Sequence, residues 1–188
     1  LVPDLAKEDF SVLDNGVPRD ITLFSNETQP ITVVVMLDMS GSMFSRFVRL
    51  RPSTISFVDA LQGGDRAQIG TFGEESAISP HLTGDKQLLK RVLNTELWPN
   101  GPTPIWNALD QAMTALSSES GRRVVMTITD GRELCNYRHC VKAGAVERRA
   151  VREGFMLYAI GMDGTGLDEE IMSIAEETGG GHFALPEG

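Results

Sequence analysis

The run Ile31-Thr-Val-Val-Val-Met-Leu-Asp-Met-Ser-Gly-Ser-Met43 constrains this chain more than any other stretch. Val33 to Leu37 are apolar without a break, which suits a strand buried on both faces rather than one with a solvated side. Such a strand needs helices above and below it. The run then delivers Asp38 with no turn residue in between, and Ser40 and Ser42 follow at alternate positions. Open α/β sheets hold their ligands in the crevice beyond the carboxyl ends of the strands. A carboxylate and two hydroxyls are therefore expected at a ligand site, and oxygen-only donors favour a hard cation such as Mg²⁺ over zinc or copper.

From residue 31 onward apolar strands alternate with amphipathic helices. The pattern predicts strands over 31–37, 67–72, 76–80, 123–129, 155–160 and 182–185. Helices are predicted over about 51–62, 85–94, 104–117, 142–153 and 168–178. Pro52 is expected in the first turn of its helix, where a missing N–H costs nothing. Thr178-Gly179-Gly180-Gly181 reads as a helix stop. The alternation implies a doubly wound, mostly parallel sheet with helices on both faces. Only Gly73-Glu74-Glu75 separates the second and third strands, too little for a parallel crossover, so one antiparallel edge strand is expected there.

The first 30 residues differ. Phe10–Leu13 and Ile21–Phe24 are short alternating segments flanking Asp14-Asn15-Gly16. Asn-Gly supplies the positive φ angles of a tight turn, so residues 1–30 read as a β-hairpin lead-in to a main domain over 31–188. The 188 residues are 41% apolar and 23% charged, enough for one real core and against disorder. A net charge of −9 argues against general binding to a nucleic-acid backbone. No apolar run approaches the roughly 18 residues that would cross a bilayer. The chain opens Leu-Val-Pro and closes soon after its last predicted strand, so both ends read as cuts, compatible with a removed export signal.

Two further segments can join the first at the sheet edge. Gly101-Pro102-Thr103-Pro104 opens a helix and presents a hydroxyl, and Val124–Thr129 is a strand running into Asp130. Neighbouring strands at a topological switch point would bring both carboxylates to one crevice. Mg²⁺ takes near-octahedral oxygen coordination and retains several waters. Ser40, Ser42 and Thr103 suit direct neutral contacts, with Asp38 and Asp130 holding waters or hydroxyls from behind. Few anions would then touch the metal, leaving its charge available to an incoming carboxylate.

Asp38, Ser40, Ser42, Thr103 and Asp130 match, in order, the Asp-x-Ser-x-Ser, Thr, Asp pattern of the metal-ion-dependent adhesion site. Residues 31–185 thus resemble a von Willebrand factor A domain. The resemblance implies a Rossmann-like sheet, a bound Mg²⁺ or Mn²⁺ on these residues, and a protein partner whose Asp or Glu completes the coordination sphere. The lead-in Leu5–Phe10, Asp14–Pro18 and Ile21 is similar to that of an acidobacterial-type subgroup whose members generally look exported. One departure is Arg132-Glu133 after Asp130-Gly131, where many relatives are more acidic, and it bears on ligand preference.

Enzymatic readings fit less well. An aspartyl phosphatase needs a second carboxylate two residues past the first, and that position is Ser40. A serine hydrolase needs glycines on both sides of its nucleophile and a placed histidine, whereas His81, His139 and His182 fall in unrelated contexts. A metal-assisted hydrolase and a docking subunit of an ATPase-driven assembly remain the alternatives to a binding module. Cys135 and Cys140 lie in the loop after Asp130 and suit either two thiols or a local disulfide, while a zinc site using both with His139 lacks a fourth ligand. A bridge would stiffen the loop that carries Arg132, Tyr137 and Arg138 towards a partner's acidic group. Asp163–Asp168 lacks the full calcium-loop spacing, and Asn26-Glu-Thr28 is too short a glycosylation pattern to carry weight.

Overall fold

The computed structural model describes residues 5–24, 29–95, 99–162 and 166–185. Asn26-Glu-Thr28 and the first part of Asp163–Asp168 lie outside the described residues. Strands β1 (Val12–Asp14) and β2 (Val17–Arg19) form an antiparallel hairpin. Asn15 and Gly16 take φ of 50° and 79°, as a two-residue turn requires. That turn makes Asp14–Val17 the hydrogen-bonded pair, so Pro18 opposite Leu13 falls where its missing N–H loses no ladder bond. The second strand therefore starts earlier than the apolar pattern suggested. Ile21–Phe24 is not a strand, and Phe24 instead packs on Phe10 with ring centroids 5.5 Å apart.

The remaining elements are β3 (Ile31–Asp38), α1 (Phe47–Ala60), β4 (Arg66–Phe72), β5 (Ala77–Ile78), α2 (Lys86–Leu93) and α3 (Ile105–Ala115). β6 (Arg122–Thr129), α4 (Ala143–Glu153), β7 (Phe155–Gly161), α5 (Glu169–Glu177) and β8 (Gly181–Ala184) follow. The six strands order as β5-β4-β3-β6-β7-β8. All neighbours are parallel except β5, the antiparallel edge expected from the short 73–75 break. Val33, Val35 and Leu37 pack on Leu50 and Val58 of α1 and Leu89 and Leu93 of α2. Val34 and Met36 face the opposite core, built on α3, α4 and α5. Alternate residues of one strand thus feed two cores, and the sheet is doubly wound.

Helix α1 corrects one expectation. It begins at Phe47, after a 3₁₀ turn over Gly41–Ser45, so Pro52 lies inside it rather than in its first turn. Pro52 and Val48 are both exposed, so water can take the bond that the Val48 carbonyl loses, while Leu50, Thr54 and Val58 stay buried on the other side. The burial of that face outweighs the local preference of proline. At the far end Gly180 has no alternative residue, because a Cβ there would lie 1.8 Å from the Leu157 carbonyl oxygen.

Candidate metal centre

The chain leaves β3 towards β4 on one side, and β6 leads to β7 on the other. The crevice between the carboxyl ends of β3 and β6 is therefore the topological switch point of the sheet. Their register aligns Leu37 with Ile128, which brings Asp38 level with Thr129. The Thr129 hydroxyl donates to Asp38 Oδ2 at 2.5 Å, and the Ser40 N–H donates to Oδ1 at 2.8 Å. Asp38 is fully buried, and both of these partners are neutral. Burial raises its pKa, partly offset by the hydrogen bonds from Thr129 and Ser40, with the charge of Asp130 adding to the rise. An uncompensated buried carboxylate is costly without a counter-charge.

The hydroxyls gather beside it. Ser40 Oγ lies 3.1 Å from Ser42 Oγ, and Ser42 Oγ donates to Asp130 Oδ1 at 3.0 Å. Arg46 Nη1 holds the other Asp130 oxygen at 2.8 Å and also donates to the Ser42 carbonyl at 2.9 Å. The loop carrying Thr103 reaches the same edge through hydrogen bonds from Gly41 N–H to the Gly101 carbonyl and from Asn100 N–H to the Met39 carbonyl. Two glycines make that approach possible. A Cβ on Gly73 would meet the Asn100 and Met39 carbonyl oxygens at 2.8 and 2.9 Å. Gly101 takes φ of 88°, and a Cβ on it would meet the Glu74 backbone at 2.6 Å.

Thr103 is buried and fixed from the opposite side by the loop after Asp130. Its N–H and carbonyl exchange hydrogen bonds with Leu134, each at 2.9 Å. Glu133 accepts from the Trp106 N–H at 3.2 Å, serving the free N–H end of α3, since Pro104 at the cap position offers no side-chain acceptor. Burial raises the Glu133 pKa, opposed by the Trp106 and Ile105 N–H groups, and the charges of Asp168 and Glu170 add to the rise. Asn107 accepts from Val141 N–H and donates to the His139 carbonyl, both at 3.0 Å. Within this loop Cys135 and Cys140 form a disulfide, with Cα atoms 6.0 Å apart, so the choice between thiols and bridge falls to the bridge. Tyr137 turns across the edge, its hydroxyl donating to the Gly73 carbonyl at 2.6 Å, rather than outwards as Arg132 and Arg138 do.

All five expected residues therefore belong to three segments tied together at one sheet edge. Asp38, Ser40, Ser42 and Asp130 are linked side chain by side chain or through a single hydrogen bond, and Thr103 is held by its backbone. Among the described residues no three His, Cys, Asp or Glu side chains cluster as a metal cage. Hydroxyls backed by carboxylates, around a buried anion with neutral partners, suit a hard dication nevertheless. Sequence reasoning missed Arg46 and Thr129, and it marked Glu133 for ligand preference rather than as the acceptor at the start of α3. Arg46 was legible only as a cation one helical turn past Ser42, and Thr129 only as the residue before Asp130.

Comparison with known proteins agrees with this architecture. No curated protein matches the sequence at a significant level. The chain is similar in fold to BatB of Bacteroides thetaiotaomicron, a conserved hypothetical protein, at TM-score 0.68 and 20% identity over 85% of this chain and 92% of that one. The vWF domain of the type V pili tip protein Mfa5 from Porphyromonas gingivalis gives 0.66 at 14% identity, over 85% of this chain and 90% of that one. Proximal thread matrix protein 1 of the mussel byssus, in a structure with a zinc-occupied MIDAS motif, gives 0.68 at 18% identity. That match covers 84% of this chain and 42% of the mussel protein. The model of the von Willebrand factor type A domain matches residues 32–187, and the chain belongs to that family.

Proposed function

We infer that this chain is a divalent-metal-dependent protein-binding module that grips an acidic residue of a partner. Mg²⁺ or Mn²⁺ is the metal of this reading, with Ser40, Ser42 and Thr103 as direct ligands and Asp38 and Asp130 acting through bound water. The carrying observation is the pair of serine hydroxyls 3.1 Å apart, held between a buried carboxylate and Asp130 at the switch point. When bound, the metal supplies an electrophilic position for a carboxylate. Asp38 fixes the Ser40 backbone, and Asp130 accepts the hydrogen bond of the Ser42 hydroxyl, which leaves the hydroxyl lone pairs free to face the cation. The zinc reported in the mussel protein's motif supports a dication on this type of site.

The surroundings support a protein rather than a small-molecule ligand. Phe44 follows the serines and is 65% exposed, and Leu134, paired to Thr103, is 63% exposed. Apolar side chains at the rim of a charged centre suit a macromolecular interface. Residues 31–188 are assigned as the A domain and 1–30 as its lead-in, supported by a family match that starts at residue 32. The resemblance of that lead-in to the acidobacterial-type subgroup and the Cys135–Cys140 bridge both support an exported protein. No helix among the described residues is long and apolar enough to cross a membrane.

Isothermal titration tests the reading. Mg²⁺ or Mn²⁺ is expected to bind at one site in the native chain, with no measurable heat in Asp38→Ala. Undiminished binding in that variant sinks the ligand assignment.

A further inference from the structure

Arg46 stands one helical turn beyond Ser42 and belongs to none of the roles above. Its guanidinium Nη1 donates at once to Asp130 Oδ2 and to the Ser42 carbonyl, at 2.8 and 2.9 Å. The Asp130 carboxylate is thus shared, one oxygen taking the Ser42 hydroxyl and the other the arginine. Its side chain is only 8% exposed and that of Arg46 21%, so solvent screens the pair little. A fixed positive charge accordingly sits one carboxylate's width from a proposed metal donor.

Two consequences follow from Coulomb's law, with opposite signs. A resident cation repels an incoming dication and neutralises the anion nearest the hydroxyls, so it weakens metal binding. The same cation attracts a carboxylate arriving at the metal, so it strengthens partner binding. We propose that Arg46 is a specificity-determining residue that lowers intrinsic metal affinity and raises affinity for an acidic ligand once the metal is in place. The direct attraction between metal and carboxylate makes each favour the other, and Arg46 shifts the balance between the two affinities. This rests on the metal-site reading above.

A merely structural Arg46 predicts a different result. Losing a positioning group would weaken both ligands together. Removing a competing charge separates them, and Asp130 stays aimed because Ser42 still holds its other oxygen. The experiment compares the native chain with Arg46→Met, which keeps length and loses charge, and Arg46→Lys, which keeps charge. Mn²⁺ alone is titrated by calorimetry, and N-acetylglycine is then titrated onto the Mn²⁺-loaded protein, followed by water proton relaxation.

Arg46→Met is expected to bind Mn²⁺ about tenfold more tightly and the carboxylate about tenfold more weakly, the scale of one nearby charge at a partly screened site. Arg46→Lys keeps the positive charge and is expected to stay within about threefold of the native chain on both. Should Arg46→Met fail to fold by circular dichroism, Arg46→Gln takes its place with the same expectation. Equal or weaker Mn²⁺ binding in the neutral variant overturns the proposal, as does Arg46→Lys behaving like Arg46→Met. A native chain that binds no Mn²⁺ defeats the metal reading itself. Native binding with an unaltered neutral variant defeats only the role given to Arg46.

Discussion

Asp38 illustrates how a single side chain here is held by what its neighbour in the next strand provides. Its buried carboxylate has one oxygen on the Ser40 N–H and the other on the Thr129 hydroxyl. Thr129→Val keeps the shape of the side chain and leaves that second oxygen unpaired in a buried site. A loss of about 1–3 kcal/mol is expected, the desolvation penalty of an orphaned polar group. Urea denaturation of the metal-free protein measures it, and Thr129→Ser, which restores the donor, should recover most of the loss. An unchanged midpoint in Thr129→Val would mean that Asp38 is supported elsewhere.

The element that matters most to the site is neither a helix nor a strand but the loop over residues 131–141. It is closed by the Cys135–Cys140 bridge, paired to Thr103 through Leu134, and anchored at Gly73 by Tyr137. Glu133 joins it to the start of α3 at a cost, because burial and the nearby charges of Asp168 and Glu170 disfavour the ionised form. A carboxyl whose folded-state pKa is raised holds its proton more tightly folded than unfolded. Stability from this group is therefore fullest below the ordinary glutamate range and is lost as pH rises through the raised value. Glu133→Gln removes the titration. Denaturation midpoints of the variant, measured from about pH 4 to pH 7, should fall less with rising pH than those of the native chain. A parallel pair of curves would exclude Glu133 as a source of the pH dependence.

At the scale of the molecule the site is a junction. Three segments far apart in the chain meet at the edge where winding reverses, so a ligand there ties both halves of the sheet to each other. Whatever binds only the folded state stabilises it by mass action, about 2.7 kcal/mol at a hundredfold excess over the dissociation constant. Mn²⁺ should therefore raise the Tm in a concentration-dependent manner, and EDTA should restore the metal-free value. Asp38→Ala should show no such shift. A native Tm indifferent to Mn²⁺ and Mg²⁺ would argue against a site in this crevice.

Much of this was legible in the chain itself. The unbroken apolar run Val33–Leu37 suits a strand covered on both faces, and helical periodicity around it implies the doubly wound sheet. The edge strand β5 followed from a connection too short to cross over. The spacing of Asp38, Ser40 and Ser42 needed no tertiary knowledge, because a strand end and a turn carry all three. Other features depend on contacts between segments distant in sequence, which local patterns do not encode. The start of α1 was set by burial of Leu50, Thr54 and Val58 over the preference of Pro52. The Cys135–Cys140 bridge, the alignment of Thr129 with Asp38, and the Arg46–Asp130 ion pair were likewise decided only by the folded chain. Periodicity and spacing are local properties of the backbone, whereas the charge around a site is the sum of groups that meet only after folding.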